Sequence, residues 1–117
     1  MGCSRGEVRL ASFSPSKGTE AGKIRACLIL QSDLLNEAGH PSATVIPLTS
    51  RVLDETAPLR FRIGRRDNLQ EDSDVMIDQV RTIDNRRFTG EALTRLTSAE
   101  IAEIEEYLKI VLGMSVG

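Results

Sequence analysis

The sequence predicts a mainly β (α+β) fold: a compact antiparallel β-barrel with short helices and a longer helix at the C-terminal end. Two observations support this prediction. Short apolar or alternating segments follow one another between turn residues, as in small all-β domains. The chain then ends in a segment with a helix-capping signal and helical periodicity. With 117 residues and no linker-like stretch, we expect one domain over residues 1–117.

The strand-like segments are of two kinds. Residues 25–31 contain the apolar run Ala-Cys-Leu-Ile-Leu, and residues 43–48 are β-branched and apolar; both segments are short, which predicts interior strands. Residues 59–63 alternate apolar and arginine side chains, which predicts a strand with one wet face. Ser32 is a suitable N-cap for one or two helical turns over residues 32–38, with Gly39 as the stop. In all, six segments predict strands: residues 7–13, 25–31, 43–48, 59–63, 75–77 and 80–83.

The C-terminal helix is the clearest element. Thr97 and Glu100 have the spacing of a capping box, and Gly113 is a typical C-terminal stop. The apolar side chains that follow recur at helical spacing, so one face should pack on the sheet or on a second subunit. These side chains are Ile101, Ile104, Leu108 and Leu112.

The formal net charge of −2 is unusual for a nucleic-acid-binding protein, but the basic residues are unevenly distributed. They concentrate in residues 1–25 and 51–66, whereas acidic residues concentrate in residues 67–78 and in the last helix. The two basic stretches can form one positive surface, or their arginines can simply face solvent on strand edges. The aromatic content of 3% argues against base stacking as the main way of holding nucleic acid.

Few residues suggest chemistry. His40 lies in a Gly-His-Pro turn and is expected to be a surface histidine. Asp72, Asp74 and Asp78 match no known metal-binding loop, so a solvated acidic turn is expected there, with no metal and no cofactor. Arg25 opens an apolar strand and needs an anionic partner, because a guanidinium is costly to desolvate alone. That partner is either internal (Glu20 or Asp78) or a ligand phosphate.

Three motifs in register resemble the MazF/PemK/Kid toxin family. The first comprises residues 5–8 (Arg-Gly-Glu-Val), residues 14–20 (Ser-Pro-Ser-Lys-Gly-Thr-Glu) and Arg25 with residues 28–33 (Leu-Ile-Leu-Gln-Ser-Asp). The second is residues 45–50 (Val-Ile-Pro-Leu-Thr-Ser), and the third is residues 78–84 (Asp-Gln-Val-Arg-Thr-Ile-Asp). The similarity runs in order from about Arg5 to the final helix.

The resemblance implies an SH3-like barrel that forms a homodimer and cleaves single-stranded RNA without a metal. It assigns catalysis to Arg25 and Thr49, with Glu20 as a candidate general base. It also implies a cognate MazE-type antitoxin, a bacterial cytoplasmic location and no membrane association. We expect the antitoxin to lay an acidic, disordered segment over the basic stretches, Arg60, Arg62, Arg65 and Arg66 included. The motif residues implied to bind RNA are Ser16, Lys17, Thr19, Lys23, Ser50, Asp78, Gln79 and Arg81.

The sequence departs from the family pattern at several positions. Ala26 replaces the proline that usually follows the catalytic arginine, which is expected to loosen Arg25. Met76 and Thr19 stand where Kid-type members have an arginine and a histidine, so Asp78 is expected to support the site rather than drive it. Two alternatives remain: a gyrase-binding toxin of the CcdB type, although the chain has no tryptophan, and a catalytically idle binding module of the same fold.

Overall fold

The structure, a computed structural model, describes residues 2–13 and 23–115. Seven strands and two α-helices follow one another in this part of the chain. In chain order they are β1 (Glu7–Ser12), β2 (Ile24–Ile29), α1 (Asp33–Glu37), β3 (Ser42–Thr49), β4 (Arg60–Ile63), β5 (Ser73–Met76), β6 (Arg81–Asp84), β7 (Phe88–Arg95) and α2 (Ser98–Val111). No helix among the described residues is long and apolar enough to cross a membrane.

The long strand β3 lies at the centre of an antiparallel sheet. One of its edges pairs with β2, and its other edge pairs with β6 near its start and with β5 near its end. The strand order is β4-β5-β3-β2-β1-β7. In the described part of the chain no ladder joins β4 to β7, but the backbone N–H of Asn68, just after β4, donates to Leu93 O in β7 at 3.0 Å. The predicted fold class is confirmed, as a barrel-like sheet that is not fully closed.

Apolar side chains cover both faces of the two interior strands. Successive side chains of a strand point to opposite faces. In β2, Leu28 therefore belongs to a core that α2 covers, while Cys27 and Ile29 belong to a second core on the opposite face. In β3, Ile46 belongs to the first core and Val45 to the second. This two-sided burial explains why these strands have continuous apolar runs, as the sequence predicted.

Helix α2 packs on the first core as expected. Thr97 is the N-cap, and the reciprocal hydrogen bonds of a capping box join it to Glu100. Ile104 and Leu108 are buried in the core. Leu112 is the C-cap and is 59% exposed in the single chain, so it does not pack on the sheet, and its contact with a second subunit stays a prediction.

Strand β7 was not predicted from the sequence. Its alternation is interrupted at Gly90, which has a φ of +69°, and the register of the facing strand shifts between Val8 and Leu10. Such a bulge breaks the period of two on which strand prediction depends. The segment expected at residues 75–77 also differs, because β5 begins earlier, at the buried polar residue Ser73, and Ile77 begins a short 3₁₀ helix.

Candidate functional site

The pairing of β1, β2 and β3 places Arg25 and Thr49 at one end of the sheet. Arg25 pairs with Ala11 of β1, and Cys27 pairs with Pro47 of β3. Continuing the second register by two residues brings Arg25 opposite Thr49. Directly opposed residues of an antiparallel ladder project from the same face. Arg25 and Thr49 therefore lie at neighbouring strand ends, two residues beyond the last pair of the β2–β3 ladder.

Both residues line one cleft with a volume of about 710 Å³, which we call the main cleft. This volume falls in the range of roughly 300–1,000 Å³ that is usual for small-molecule sites. Lys23 and Ser50, which the sequence predicted to bind RNA, line the same cleft. The structure thus brings together four of the predicted site residues.

Thr49 is oriented by the backbone that follows it. Its Oγ1 accepts a hydrogen bond from the Arg51 N–H at 3.2 Å. Within the described residues the Thr49 side chain makes no other hydrogen bond. Because a threonine hydroxyl is also a donor, its proton remains available to a ligand in the cleft.

Five basic residues near this end of the sheet have no carboxylate partner among the described residues. Arg81 lies over the Phe13 ring, with 5.1 Å between its guanidinium carbon and the ring centroid. Arg87 donates to Ser12 O at 3.2 Å. Both contacts lie where β1 ends, beside the start of β2. We call the five residues the cation cluster: Lys23, Arg25, Arg51, Arg81 and Arg87.

Three members of the cation cluster also line a smaller cavity. Lys23, Arg25 and Arg81 line a second cavity of about 220 Å³, together with Gln79. Lys23 and Arg25 therefore lie between this second cavity and the main cleft. Unpaired cations at neighbouring cavities attract an anion with more than one charged group, such as a stretch of phosphodiester backbone.

The arginines of residues 51–66 do not form the continuous positive surface that the sequence suggested. Arg60 and Arg62 bind Asp74, at 3.2 Å and 2.6 Å, and Arg66 binds Glu100 at 2.8 Å. Of the four arginines expected to receive an antitoxin, only Arg65 has no carboxylate partner in the described chain. These partners are distant in sequence, so composition alone did not reveal the neutralisation.

Asp74 also contradicts the expected solvated acidic turn. Its side chain is 1% exposed and accepts hydrogen bonds from Arg62, the Leu53 N–H and Arg60. Burial raises the pKa of Asp74, but these hydrogen bonds outweigh that effect and hold the pKa below its ordinary value. Asp72 and Asp78 are exposed, as expected for a solvated turn. His40 is likewise exposed at the surface.

The remaining predicted site residues are dispersed or outside the described chain. Asp78 is exposed and lines neither the main cleft nor the second cavity, whereas Gln79 and Arg81 line the second cavity. Arg25 makes no ion pair with Asp78, one of its two candidate internal partners. Four predicted residues lie outside the described residues: Ser16, Lys17, Thr19 and Glu20.

Ala26 does not disturb the strand that carries Arg25. The ladder between β1 and β2 continues through Ala26, Arg25 and Ile24 to the end of β1 at Ser12. Ala26 itself packs against the first core. The backbone at Arg25 is therefore paired with β1 without the proline, and the expected loosening of Arg25 stays a prediction.

Several residues of the main cleft were missed by sequence reasoning. Asn68, Gln70 and Glu71 line it from the loop between β4 and β5. No motif marks this loop, and only the fold brings it beside β2. Arg51 was recognised as basic, but its place in the cleft follows from its position just after β3. No group of three or more His, Cys, Asp or Glu side chains with metal-site geometry occurs among the described residues.

Comparison with known proteins agrees with this fold. The model of the PemK-like, MazF-like toxin of type II toxin–antitoxin systems matches residues 4–112. The chain belongs to this family.

Solved MazF structures have the same fold. The structure is similar to the toxin MazF-mt6 of Mycobacterium tuberculosis, with a TM-score of 0.77 and 18% identity over 94% of this chain and 99% of that one. It is also similar to a MazE–MazF structure from Deinococcus radiodurans, with a TM-score of 0.79 and 24% identity over 98% and 99% of the two chains. A third similar structure is a mycobacterial endoribonuclease in complex with its cognate antitoxin, with a TM-score of 0.70 and 20% identity over 99% and 98%.

Proposed function

We propose that this MazF/PemK-family toxin is a sequence-specific endoribonuclease that cleaves single-stranded RNA, mRNA included, without a metal. The observation that carries the proposal is the position of Arg25. This arginine has no carboxylate partner among the described residues, lies opposite Thr49, and lines a cleft with Lys23 and Ser50. Structural similarity to an endoribonuclease supports the same activity.

The proposed chemistry uses the nucleophile that RNA itself carries. The 2′-oxygen attacks the adjacent phosphorus after losing its proton, the bond to the 5′-oxygen breaks, and that oxygen receives a proton. The products are a 2′,3′-cyclic phosphate, or the 3′-phosphate after its hydrolysis, and a 5′-hydroxyl. The enzyme needs to supply only charge stabilisation, alignment and proton transfer.

Arg25 and Thr49 supply the first two of these requirements. The planar guanidinium of Arg25 donates to the non-bridging phosphate oxygens, on which negative charge grows as the phosphorane forms. The Thr49 hydroxyl, held by the Arg51 N–H, donates to the same phosphate and keeps it in line with the 2′-oxygen. Glu20 remains our candidate for the base that removes the 2′-proton; it lies outside the described residues.

We further propose that a MazE-type antitoxin neutralises the toxin by covering the cation cluster. An acidic, disordered segment that orders on binding would occupy the space that RNA phosphates need. The cluster replaces Arg60, Arg62 and Arg66 as the expected docking surface, because those three are already paired with acids. Structures of MazE–MazF from Deinococcus radiodurans support an antitoxin partner.

We also propose that the toxin acts as a homodimer in the bacterial cytoplasm, where its cleavage of mRNA inhibits translation and growth. Sedimentation equilibrium of the purified protein tests the oligomeric state. A mass of about twice the 12.8 kDa of the chain is expected. A mass equal to that of the chain at micromolar concentration would contradict the dimer.

The activity is tested by incubating the purified protein with a long single-stranded RNA in EDTA, beside the Arg25→Ala variant. Discrete fragments with 5′-hydroxyl ends are expected from the wild type and none from the variant. Circular dichroism and sedimentation of the variant should match those of the wild type, because Arg25 pairs with no acid in the described chain. Full cleavage by Arg25→Ala would contradict the assignment. An inactive wild type would instead favour an idle or protein-binding toxin.

A further inference from the structure

The loop between β4 and β5 forms one wall of the main cleft and has a defined backbone. Arg66 and Leu69 exchange two backbone hydrogen bonds, of 3.0 Å and 2.9 Å, around a two-residue turn. Asp67, the first residue of this turn, has a φ of +52°. Nearer the base of the loop, the Arg65 N–H donates to Asp72 Oδ1 at 2.8 Å. The loop is therefore held together by its own hydrogen bonds.

Hydrogen bonds of three residues fix this loop to the body of the protein. Thr94 Oγ1 donates to Asp67 Oδ2 at 2.6 Å, and the Asn68 N–H donates to Leu93 O at 3.0 Å. Arg66 donates through both terminal nitrogens to the two carboxylate oxygens of Glu100, at 2.8 Å and 2.9 Å. The backbone of this loop is therefore positioned before a ligand binds, which reduces the entropy lost on binding.

Two residues with amide side chains line the main cleft from this loop. Asn68 and Gln70 line it, are exposed, and have no side-chain hydrogen bond within the described residues. The amides of Gln31, Asn36 and Asn85, in contrast, bond to other protein groups. Each free amide offers a donor and an acceptor side by side, which is the pattern that hydrogen-bonds the edge of a nucleobase.

The rest of the main cleft complements the other parts of a nucleotide. Arg25 and Thr49 lie on the side of the cleft where β2 begins and β3 ends, and Asn68 and Gln70 belong to the β4–β5 wall. The lining of the cleft also includes aliphatic residues, among them Ala26, Leu48, Leu69 and Leu93. A base can lie on such apolar side chains in the absence of an aromatic platform, while its edge meets the amides.

We propose that Asn68 and Gln70 read the base beside the scissile phosphate and so determine which RNA sequences the enzyme cleaves. This inference rests on the proposed ribonuclease function and adds the source of its base selectivity. Single-stranded RNA exposes its base edges to such contacts, and a protein amide that pairs with a base edge discriminates among bases. The amides are proposed to contact the base and not the reacting phosphate. Their loss should therefore change which RNA sequences are cleaved but should not abolish cleavage.

The test compares cleavage of a random single-stranded RNA pool by the wild type, Gln70→Met and Asn68→Ala, with sequencing of the new ends. Methionine keeps the length of glutamine and removes its hydrogen-bonding groups. We expect the preference at one position next to the cut to fall by about 10-fold or more, while cleavage of the pool as a whole continues. Thr89→Val, an exposed and shape-conserving change on β7 outside the cleft, serves as the control and should keep the wild-type preference.

The outcomes separate this inference from the proposed function. Cleavage by the wild type establishes the activity in the same assay. If the amide variants then cut the same sequences with the same preferences, the inference is wrong and the activity stands. A uniform loss of cleavage across all sequences would also contradict base reading. If the wild type cuts nothing, the proposed function fails. The RNA that each protein retains from the pool is then sequenced, which tests the amides without cleavage. If the wild type and the amide variants retain the same sequences, the inference is wrong as well.

Discussion

At the scale of single residues, ion pairing distinguishes arginines that stabilise the fold from arginines that are available to bind RNA. Arg60, Arg62 and Arg66 are bound to acids that hold loops and helix in place. Arg25 has no such acid within the described chain and borders two cavities. A cation without a carboxylate partner remains available to phosphate, whereas a bridged one would first have to break its ion pair.

Thr49 gives the first prediction at this scale. Thr49→Val keeps the branched shape of the side chain but removes the hydroxyl that is proposed to hold the phosphate. We expect the rate of RNA cleavage to fall by about 100-fold, the usual effect of losing one donor to a developing anion. Thr49→Ser restores the donor and should restore most of the rate. Equal rates for Thr49→Val and the wild type would remove Thr49 from the catalytic apparatus.

At the scale of secondary-structure elements, local patterns predicted most of the fold. The interior strands and α2 were found because their apolar residues have the period of their element and a capping box marks the helix start. Strand β7 was missed because its bulge at Gly90 breaks the period. The loop after β4 was missed as part of the site because its place in the cleft depends on contacts with β7 and α2. Arg25 was a candidate because its guanidinium opens an apolar strand, but its catalytic role and that of Thr49 were implied only by the family motifs.

The buried carboxylate of Asp74 joins β4, β5 and the loop after β3. Asp74→Asn should lower the free energy of unfolding at pH 7 by about 1–3 kcal/mol, because charged hydrogen bonds to a buried group are lost. The pKa of Asp74 is below its ordinary value in the folded protein. Its contribution is therefore complete above the unfolded pKa of about 3.9 and disappears as the pH falls through the folded pKa.

Urea unfolding at a series of pH values checks this prediction. The difference between the wild type and Asp74→Asn should be largest near neutral pH and should shrink below about pH 4. Asp54→Asn is the control, since Asp54 also binds Arg62 but its side chain is 86% exposed. This control should leave the free energy of unfolding nearly unchanged. A difference for Asp74→Asn that grows as the pH falls would contradict the assigned direction of the pKa shift.

Glu100 links the start of α2 to the wall of the main cleft. Its carboxylate accepts from the Thr97 N–H and binds Arg66, and the hydrogen bonds from Arg66 lower its pKa. Thr97→Ala and Glu100→Ala should each destabilise the helix by about 1 kcal/mol through loss of the cap. Only Glu100→Ala should also weaken base preference in the RNA-pool assay, because it releases Arg66 and the cleft loop. If Glu100→Ala and Thr97→Ala cleave RNA with the same base preference, Arg66 does not position the loop.

At the scale of the whole molecule, an acidic protein carries a local basic site. The net charge is −2, but the cation cluster gathers Lys23, Arg25 and Arg81 where β1 ends and β2 begins. Single-stranded RNA bound through three to five phosphates should give a slope of log affinity against log salt of about −2 to −3.5. Binding measured with an RNA that carries a 2′-deoxynucleotide on the 5′ side of the cut would show this dependence without cutting.

Neutralising one member of the cluster should change that slope by a fixed amount. Lys23→Gln is expected to make it less steep by about 0.7, the contribution of one phosphate contact. Arg86→Gln is the matched control, because Arg86 is exposed, binds Asp84, and lines neither the main cleft nor the second cavity. An equal change of slope in both variants would mean that RNA binding depends on the net charge of the protein and not on the cation cluster.

The measurement that most directly tests the proposed mechanism is the cleavage of two matched RNAs in EDTA. The first contains one preferred cleavage sequence, and the second differs only by a 2′-deoxynucleotide on the 5′ side of that cut. Because the 2′-oxygen is the proposed nucleophile, the first RNA should yield a 2′,3′-cyclic or 3′-phosphate and a 5′-hydroxyl. The second should stay intact while still competing for binding. Cleavage of the deoxy-substituted RNA at the same phosphodiester would contradict the mechanism assigned to Arg25 and Thr49.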